Sequence, residues 1–167
     1  MDIERWRPVP GYEGSYAASS HGRIRSLDRI TDRGRNWRGR LLTPTPMKNG
    51  YLLVTLWRGG RQRTQLVHRL VLSAFHGPCP DGSEALHRDG IRTNNYLENL
   101  SWGTHSENQL DQVCHGTHHN ASKSQCIRGH LFTPENTYTY PSGRKRSCRR
   151  CRSESARRFN LKLRKSA

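Results

Sequence analysis

Apolar residues are too scarce in this chain to build one large hydrophobic core. They account for 32% of its 167 residues, whereas ordinary globular domains contain about 45–50%. A length of this order suits one domain or two small modules. Small domains with little apolar surface usually depend on a metal ion, disulfides or a partner for stability. We therefore expect small modules that draw part of their stability from such a source.

The charge of the chain indicates an anionic partner. Lys and Arg number 29 against 13 Asp and Glu, which gives a net charge of +16. Nucleic acid is the leading candidate, and a basic RNA-binding or ribosome-associated protein is the alternative. No stretch approaches the roughly 18–20 apolar residues of a membrane span, and the N-terminus lacks the apolar core of a signal peptide. We expect a cytoplasmic protein, phage-encoded or bacterial, without a membrane partner.

The middle of the chain alternates between strand and helix patterns. Residues 51–57 give the clearest strand, and a glycine turn connects them to a second strand at 64–67, which predicts a hairpin. Apolar residues then recur at helical spacing from Val67 to Phe75. A capping-box sequence at Thr104 predicts the start of a second helix.

A loop with one histidine and several asparagines lies between these two helices. His87 begins the loop, Asn99 precedes the returning strand, and Asn108 lies in the first turns of the second helix. This layout brings His87 and Asn108 toward a common point, where a neutral imidazole could accept a proton from water and an amide oxygen could bind Mg²⁺. The residue types alone leave open whether these groups hydrolyse a phosphodiester or simply bond their own turns.

A set of short segments in this part of the chain carries a family signal. The segments are 67–71, 74–75, 87–90, 94–95, 98–100, 102–104 and 106–108. Together they resemble the HNH endonucleases of the ββα-metal class, in the form common in phage genomes. The resemblance implies a DNA endonuclease that hydrolyses phosphodiester bonds by nicking or double-strand cleavage. It also includes His68, for which a structural role and direct action on the phosphate both stay open.

The resemblance assigns a role to each of three residues. It implies that His87 is the general base and that Asn99 pins the loop between the strands and orients the histidine. It implies that Asn108 is a ligand of Mg²⁺ or another divalent cation, in place of the last histidine of the motif.

One position departs from the family pattern. The residue before the general base is often Asp, Asn or His in this class and supplies a second metal ligand, but here it is Leu86, which cannot coordinate. A nearby acid could replace it, and we favour Asp111, one helical turn after Asn108, over Asp89. Otherwise the ion is held more weakly, or the chain is a non-catalytic DNA-binding protein that retains the HNH fold.

The N-terminal part of the chain interleaves aromatic residues with arginines. Its segments 6–13, 16–19 and 22–27 look like the nuclease-associated modular domain that commonly precedes HNH domains in homing and phage endonucleases. The resemblance implies DNA contact without chemistry, while the aromatic residues form the core of a small β-unit. The residues expected to contact phosphates are Arg7, Ser19, Arg23 and Arg25.

The last third of the chain contains four residues with the spacing of metal ligands. Cys126 and His130 form a Cys-x3-His knuckle, and Cys148 and Cys151 follow after a hairpin pattern. Five cysteines in a chain without a signal peptide argue against disulfides. Three thiolates and one imidazole form a closed set typical of structural Zn²⁺ sites. The arrangement resembles a treble-clef zinc finger, with a disordered basic tail containing reduced cysteines as the alternative.

These patterns predict an α+β protein made of small modules. An N-terminal β-rich DNA-binding module with a basic loop covers 1–46, a ββα-metal HNH nuclease domain covers 47–116, and a linker covers 117–125. A treble-clef-like zinc module covers 126–158, with a basic tail at 159–167. Zinc binding would gather a basic surface that clamps double-stranded DNA, formed by Arg144, Lys145, Arg146, Arg149 and Arg150. No pattern in the sequence specifies an oligomeric state.

Overall fold

The structure is a computed structural model that describes residues 3–31, 34–143 and 145–165. It combines three α-helices with several small antiparallel sheets in this described part of the chain, which confirms the predicted α+β class. The chain divides into two compact units, Met1–His115 and Gly116–Ala167. None of the described helices is long and apolar enough to cross a membrane.

The first unit begins with a small antiparallel sheet. Its strands are β1 (Trp6–Pro8), β2 (Tyr16–Ser19) and β3 (Ile24–Ser26), with β2 in the centre. A two-stranded pair follows, formed by β4 (Arg29–Ile30) and β5 (Asn36–Trp37). All four residues of β2 are buried, so this central strand serves as a core element.

A second three-stranded sheet leads into the first helix. Its strands are β6 (Thr45–Pro46), β7 (Leu52–Arg58) and β8 (Arg61–Leu66). Helix α1 (Val67–His76) follows β8 directly, and its predicted apolar face is buried at Val67, Leu70 and Val71. The predicted hairpin and helix are therefore both present.

A strand–loop–strand–helix arrangement completes the first unit. Strands β9 (Ser83–His87) and β10 (Leu100–Thr104) pair antiparallel, with His87 opposite Leu100. A short 3₁₀ turn at Leu97–Asn99 precedes β10, and helix α2 (His105–Cys114) follows it. The predicted capping box of α2 is formed by Thr104 and Glu107. This ββα arrangement places the end of β9 and the first turns of α2 on the same small scaffold.

One hydrophobic core serves the whole first unit. Its buried members are Val9, Tyr16, Ala18 and Ile24 from the N-terminal segment and Val54, Leu56, Val67, Leu70, Val71, Leu72 and Leu100 from the central segment. The Tyr16 hydroxyl also accepts a hydrogen bond from the backbone N–H of Trp57, at 3.1 Å. The segments 1–46 and 47–115 thus share a core, which compensates for the small number of apolar residues in each.

The second unit contains a hairpin and a long helix. Strands β11 (Thr137–Thr139) and β12 (Arg146–Cys148) pair antiparallel, and helix α3 (Arg149–Lys165) follows β12 without a break. The helix continues beyond residue 158, where the sequence pattern placed the start of a basic tail. Residues 159–165 contain no Gly or Pro and several Leu, Lys and Arg, which favour helix continuation.

Candidate active site and metal centre

His87 is a buried histidine at the end of β9. Its side chain lies against two other rings, with centroid distances of 5.9 Å to Tyr51 and 5.0 Å to His68. Only 9% of the residue is exposed. This burial lowers the pKa of His87 below its ordinary value, against the opposing effect of a hydrogen bond to Asn95. The imidazole is therefore neutral near pH 7 and able to accept a proton.

The side chain of Asn95 determines which ring nitrogen of His87 is basic. Its Oδ1 lies 3.3 Å from Nε2 of His87, and its Nδ2 donates to the carbonyl oxygen of Thr93 at 3.3 Å. Because the amide nitrogen is used by Thr93, the amide oxygen faces the ring and accepts from Nε2–H. In this tautomer the lone pair lies on Nδ1 of His87, which makes no hydrogen bond to the described residues.

Asn99 holds the loop between β9 and β10. Its Oδ1 accepts from the backbone N–H of Asp89 at 3.0 Å, and its Nδ2 donates to Asp89 Oδ1 at 2.9 Å and to the Asn94 carbonyl at 2.8 Å. The Asp89 carboxylate also accepts from Ile91 N–H and from Asn94 Nδ2. Asn99 thus lies where the resemblance implies a pinning residue, and its expected influence on the histidine stays a prediction.

The ring contact to His87 comes from Asn95, to which the sequence analysis assigned no role. Its one sequence signal was membership of the matching segment 94–95. Asn95 is 3% exposed and lies against the turn after β2, where a Cβ on Gly22 would come within 2.7 Å of the Asn95 carbonyl oxygen. The same turn accepts a hydrogen bond from Leu97 N–H at Ser20 O, at 2.8 Å. The N-terminal segment therefore packs against the loop that carries Asn95.

His68 forms the buried wall behind His87. It lies in the first turn of α1, is 4% exposed, and stacks on Tyr51 at a centroid distance of 4.9 Å. Burial, with smaller contributions from His87 and Arg69, lowers the pKa of His68 to about 3. Its Nδ1 is buried without a hydrogen-bond partner among the described residues. His68 is accordingly a neutral packing residue at physiological pH.

Asn108 contacts a glutamate that the sequence analysis did not single out. Its Nδ2 donates to Glu84 Oε2 at 2.6 Å, and its Oδ1 accepts from Gln112 Nε2 at 3.3 Å. The other oxygen of Glu84 lies 2.9 Å from His105 Nδ1. The hydrogen bonds from Asn108 and then His105 lower the pKa of the Glu84 carboxyl. A carboxylate, an amide and an imidazole therefore meet between β9 and the start of α2.

The residues around this cluster show why Glu84 was missed. Glu84 is 24 positions from Asn108 in the sequence, so only the pairing of β9 with α2 brings the two together. One sequence feature could have identified it: Glu84 lies two residues before Leu86 and therefore on the same side of the strand. Asp111 lies one turn after Asn108 on α2, and its carboxylate makes no hydrogen bond to the described residues. Leu86 is 7% exposed and covers Gly103.

The four predicted metal ligands of the second unit converge. The ligand atoms of Cys126, His130, Cys148 and Cys151 all lie within 4.8 Å of one another. Nδ1 of His130 is 3.6 Å from the sulfur of Cys126 and 3.3 Å from that of Cys151, and the sulfurs of Cys126 and Cys151 are 3.7 Å apart. A tetrahedral Zn²⁺ with bonds of about 2.3 Å to sulfur and about 2.0–2.1 Å to nitrogen needs ligand separations of this size.

Backbone hydrogen bonds shape both halves of this cluster. In the knuckle, Cys126 N–H donates to His130 O and Gly129 N–H donates to Cys126 O, each at 2.9 Å. Burial raises the pKa of the Cys148 thiol, but hydrogen bonds, led by that from Cys151 N–H, outweigh it and lower the pKa to about 6. Burial and the neighbouring sulfurs raise the pKa of Cys151 to about 11. The closely spaced sulfurs favour a cation between them.

Ser19 is a core residue in this structure, and its expected contact with phosphate stays a prediction. It has no exposed surface, and its hydroxyl donates to the carboxylate of Glu4. Arg23 also bonds Glu4, with Nε donating to Oε1 at 2.8 Å. Its side chain keeps 52% exposure, so it stays available to a phosphate.

Arg7 and Arg25, which are also expected to contact phosphates, lie against aromatic rings. Arg25 lies over Trp6 at 4.3 Å from the ring centroid. Arg7 lies over Phe75 at 5.1 Å and donates to the Phe75 carbonyl at 3.2 Å. These contacts hold the guanidinium groups in place, and their expected binding of phosphate stays a prediction.

Arg146 has a structural role in the second unit. Its Nη2 donates to the carbonyl oxygens of Asn120, Ala121 and Lys123 at 2.9, 2.9 and 2.5 Å. Its guanidinium also lies 4.4 Å from the centroid of Phe132. Arg146 thus fastens the predicted linker to β12, and its expected contact with DNA stays a prediction.

The other members of the predicted basic surface differ in their surroundings. Lys145, Arg149 and Arg150 are exposed. Arg149 donates to the Thr137 carbonyl at 3.1 Å, and Arg150 lies 3.6 Å from Glu154. Arg144 lies outside the described residues.

Two segments of the chain define its class. Residues 65–110 match the family model described as HNH endonuclease, and residues 4–57 match the NUMOD4 motif. The chain therefore contains a segment that matches HNH endonucleases, preceded by a NUMOD4 motif, as the sequence resemblance predicted. Both matches end before the Cys/His cluster.

Individual relatives include phage and viral proteins. The DNA endonuclease I-HmuI of Bacillus phage SP01 is 35% identical over 122 residues, which cover 73% of this chain and 64% of that protein. An uncharacterized HNH endonuclease, L247 of Acanthamoeba polyphaga mimivirus, is 28% identical over 103 residues, 61% of this chain and 23% of that protein. The chain thus spans less than two thirds of the length of either relative.

A solved structure has the same fold over much of the chain. It is titled "DNA binding and cleavage by the HNH homing endonuclease I-HmuI". It aligns with a TM-score of 0.54 and 34% identity, and the match covers 68% of this chain and 60% of that one.

Proposed function

We propose that this protein is a metal-dependent DNA endonuclease that hydrolyses phosphodiester bonds with His87 as the general base. The observation that supports this most directly is the buried, neutral His87, held through Nε2 by Asn95 within the HNH segment. The HNH endonuclease match over residues 65–110 and the DNA endonuclease among the relatives support the same reaction class.

His87 performs the proton transfer in this reaction. Because Nε2–H donates to Asn95, Nδ1 accepts the proton of a water molecule as the water oxygen attacks phosphorus. The bond between phosphorus and the leaving oxygen breaks, and the leaving oxygen takes a proton from solvent. The burial that lowers the pKa of His87 favours return of its extra proton to water before the next cycle.

Asn108 holds the divalent cation in this proposal. An amide oxygen beside a carboxylate is a hard donor set that suits Mg²⁺, and Asn108 lies next to Glu84. When bound, such an ion stabilises the charge that develops on the phosphoryl and leaving oxygens.

The second unit holds structural Zn²⁺ through Cys126, His130, Cys148 and Cys151. The spacing of the four ligand atoms supports this assignment, and three thiolates select zinc over magnesium. The unit presents exposed basic residues to double-stranded DNA, among them Lys145, Arg149 and Arg150. The activity on DNA and the phage and viral relatives suit an intracellular protein encoded by a phage or a bacterium.

A plasmid assay tests the endonuclease. With Mg²⁺, the wild type should nick or linearise supercoiled plasmid, and His87→Ala should lower the rate by about 10²–10⁴-fold, the usual contribution of a general base. DNA affinity should change little, because His87 is buried. His119→Ala is the matched control, since His119 is exposed, and it should cleave like the wild type.

The competing function is DNA binding without catalysis, which Leu86 favours because it cannot supply a metal ligand. In that case the wild type binds the plasmid but leaves it supercoiled at every Mg²⁺ concentration. Equal cleavage by wild type and His87→Ala would instead remove His87 from the mechanism.

A further inference from the structure

We infer that Glu84 is the second protein ligand of the divalent cation and takes over the role that Leu86 cannot perform. The inference rests on the proposed endonuclease function of the same site. It concerns a residue that lies three positions before the general base, outside the segments that carried the sequence resemblance.

The position of Glu84 on β9 allows its carboxylate to take the place of the metal ligand expected at position 86. Side chains alternate along a strand, so Glu84 and Leu86 project to the same face. Helix α2 packs against β9, and its residue Asn108 contacts Glu84. A glutamate side chain is one methylene longer than an aspartate side chain, which extends its reach along the strand. The Glu84 carboxylate arrives 2.6 Å from the Asn108 amide, so it occupies the neighbourhood of the expected ligand.

The other candidate acids are placed less well. The Asp89 carboxylate accepts hydrogen bonds from Ile91, Asn94 and Asn99, so its oxygens already hold the loop. The Asp111 carboxylate makes no hydrogen bond to the described residues, including Asn108. Of these three acids, Glu84 is the one whose carboxylate contacts Asn108.

The contact between Glu84 and Asn108 can convert into a shared cation site. Asn108 directs its Nδ2 toward the carboxylate, and rotation of the amide about its last torsion would turn Oδ1 there instead. Two oxygens facing each other repel, so that orientation is favourable only with a cation between them. Glu84 and Asn108 can therefore either form a direct hydrogen bond or bind one cation together.

Charge explains why a carboxylate is needed here. The chain carries a net charge of +16, which disfavours a divalent cation near its surface. Asn108 is neutral, so Glu84 is the protein anion in direct contact with it. His105 lies 2.9 Å from Glu84 Oε1 but is exposed over 68% of its side chain, so it orients the carboxylate only weakly.

Binding of Mn²⁺ provides a test that does not depend on turnover. The zinc-loaded full chain carrying His87→Ala, bound to a short DNA duplex at low salt, is titrated with Mn²⁺, and free Mn²⁺ is measured by electron paramagnetic resonance. The duplex alone gives the background. We expect one protein-dependent site that Asn108→Ala removes, and Glu84→Gln should weaken it by about tenfold or more. Glu98→Gln is the matched control, because Glu98 is exposed, and it should bind Mn²⁺ normally.

A second measurement avoids any substitution at Glu84. In the same complex with ¹³C-labelled carboxylates, bound Mn²⁺ should broaden the Glu84 carboxyl signal at lower concentration than that of Asp111. This readout stays informative if Glu84→Gln fails to fold, which circular dichroism would reveal.

The outcomes separate the two proposals. Normal Mn²⁺ affinity in Glu84→Gln, with loss in Asn108→Ala, would overturn the role of Glu84 and leave the endonuclease proposal intact. Loss in Asp111→Asn alone would assign the second ligand to α2. If Asn108→Ala also binds normally, then the cation site itself is placed wrongly and both proposals fail.

Discussion

At the scale of single residues, the proposed action of His87 as a base depends on Asn95. Its amide oxygen accepts from Nε2 and its amide nitrogen donates to Thr93. The ring is thereby held in the tautomer that leaves Nδ1 free. Asn95 is a positioning residue in this proposal, because it acts through His87.

We predict that Asn95→Ala lowers the cleavage rate by about 10-fold to 100-fold, a part of the usual contribution of a general base. It should also reduce stability by about 1–3 kcal/mol, since a buried hydrogen bond is lost. The ¹⁵N shifts of His87 should reveal more of the Nδ1–H tautomer, which general destabilisation would not produce. Asn95→Asp keeps the acceptor and should retain the tautomer. An unchanged tautomer in Asn95→Ala would contradict the assignment.

The sequence predicted only those site residues whose own side chains can transfer a proton or bind a metal. His87 and Asn108 were predicted because an imidazole and an amide oxygen suit proton transfer and metal binding. Asn95 and Glu84 act through what they touch, and those contacts depend on strand pairing and loop packing. Ser19 was expected at the DNA because its hydroxyl suits a phosphate, but a single sequence does not reveal that β2 is buried.

At the scale of structural elements, the turn after β2 supports the loop that carries Asn95. Gly22 has a φ of +79°, and a Cβ there would meet the Asn95 backbone at 2.7–2.8 Å. The tilted rings of His21 and Tyr96 also pack together, with centroids 5.1 Å apart. The N-terminal segment therefore sets the position of the loop, in addition to its expected contact with DNA.

We predict that Gly22→Ala lowers both stability and cleavage rate. The left-handed backbone alone costs about 1–2 kcal/mol for a residue with a side chain, and the collision with Asn95 adds a displacement of the loop. Gly14→Ala is the matched control, because Gly14 has a φ of +72° and nothing within 4 Å of an added Cβ. It should reduce stability, measured by thermal unfolding, without changing the cleavage rate. Equal cleavage rates in the two variants would exclude a role for the turn in positioning Asn95.

Local patterns predicted most of these elements, but not the contacts between them. The helix α1 and the capping box of α2 follow from apolar spacing and from Thr104 and Glu107. The packing of the turn at Gly22 on Asn95 joins residues more than seventy positions apart, and periodicity carries no information at that distance. Helix α3 passes the predicted end at residue 158 because no helix-breaking residue follows.

At the scale of the whole molecule, the two units reach stability in different ways despite their few apolar residues. The first unit combines the N-terminal and central segments around one shared core. The second unit has few buried apolar residues among those described, with Cys148 at 4% exposure within the Cys/His cluster. Its stability should therefore depend on the bound ion.

We predict that the purified wild type contains one Zn²⁺ per chain and that Cys148→Ser loses it. Because zinc binding supplies the folding free energy of a small module, residues 116–165 should become sensitive to protease while the first unit stays resistant. DNA affinity should fall, since the basic residues of α3 would no longer be held together, and cleavage should persist at high protein concentration. Cys114→Ser is the matched control, because Cys114 is an exposed free cysteine outside the cluster. Elemental analysis with substoichiometric zinc in the wild type, unchanged in Cys148→Ser, would contradict the metal site, and intact DNA affinity in the zinc-free variant would place the second unit away from the DNA.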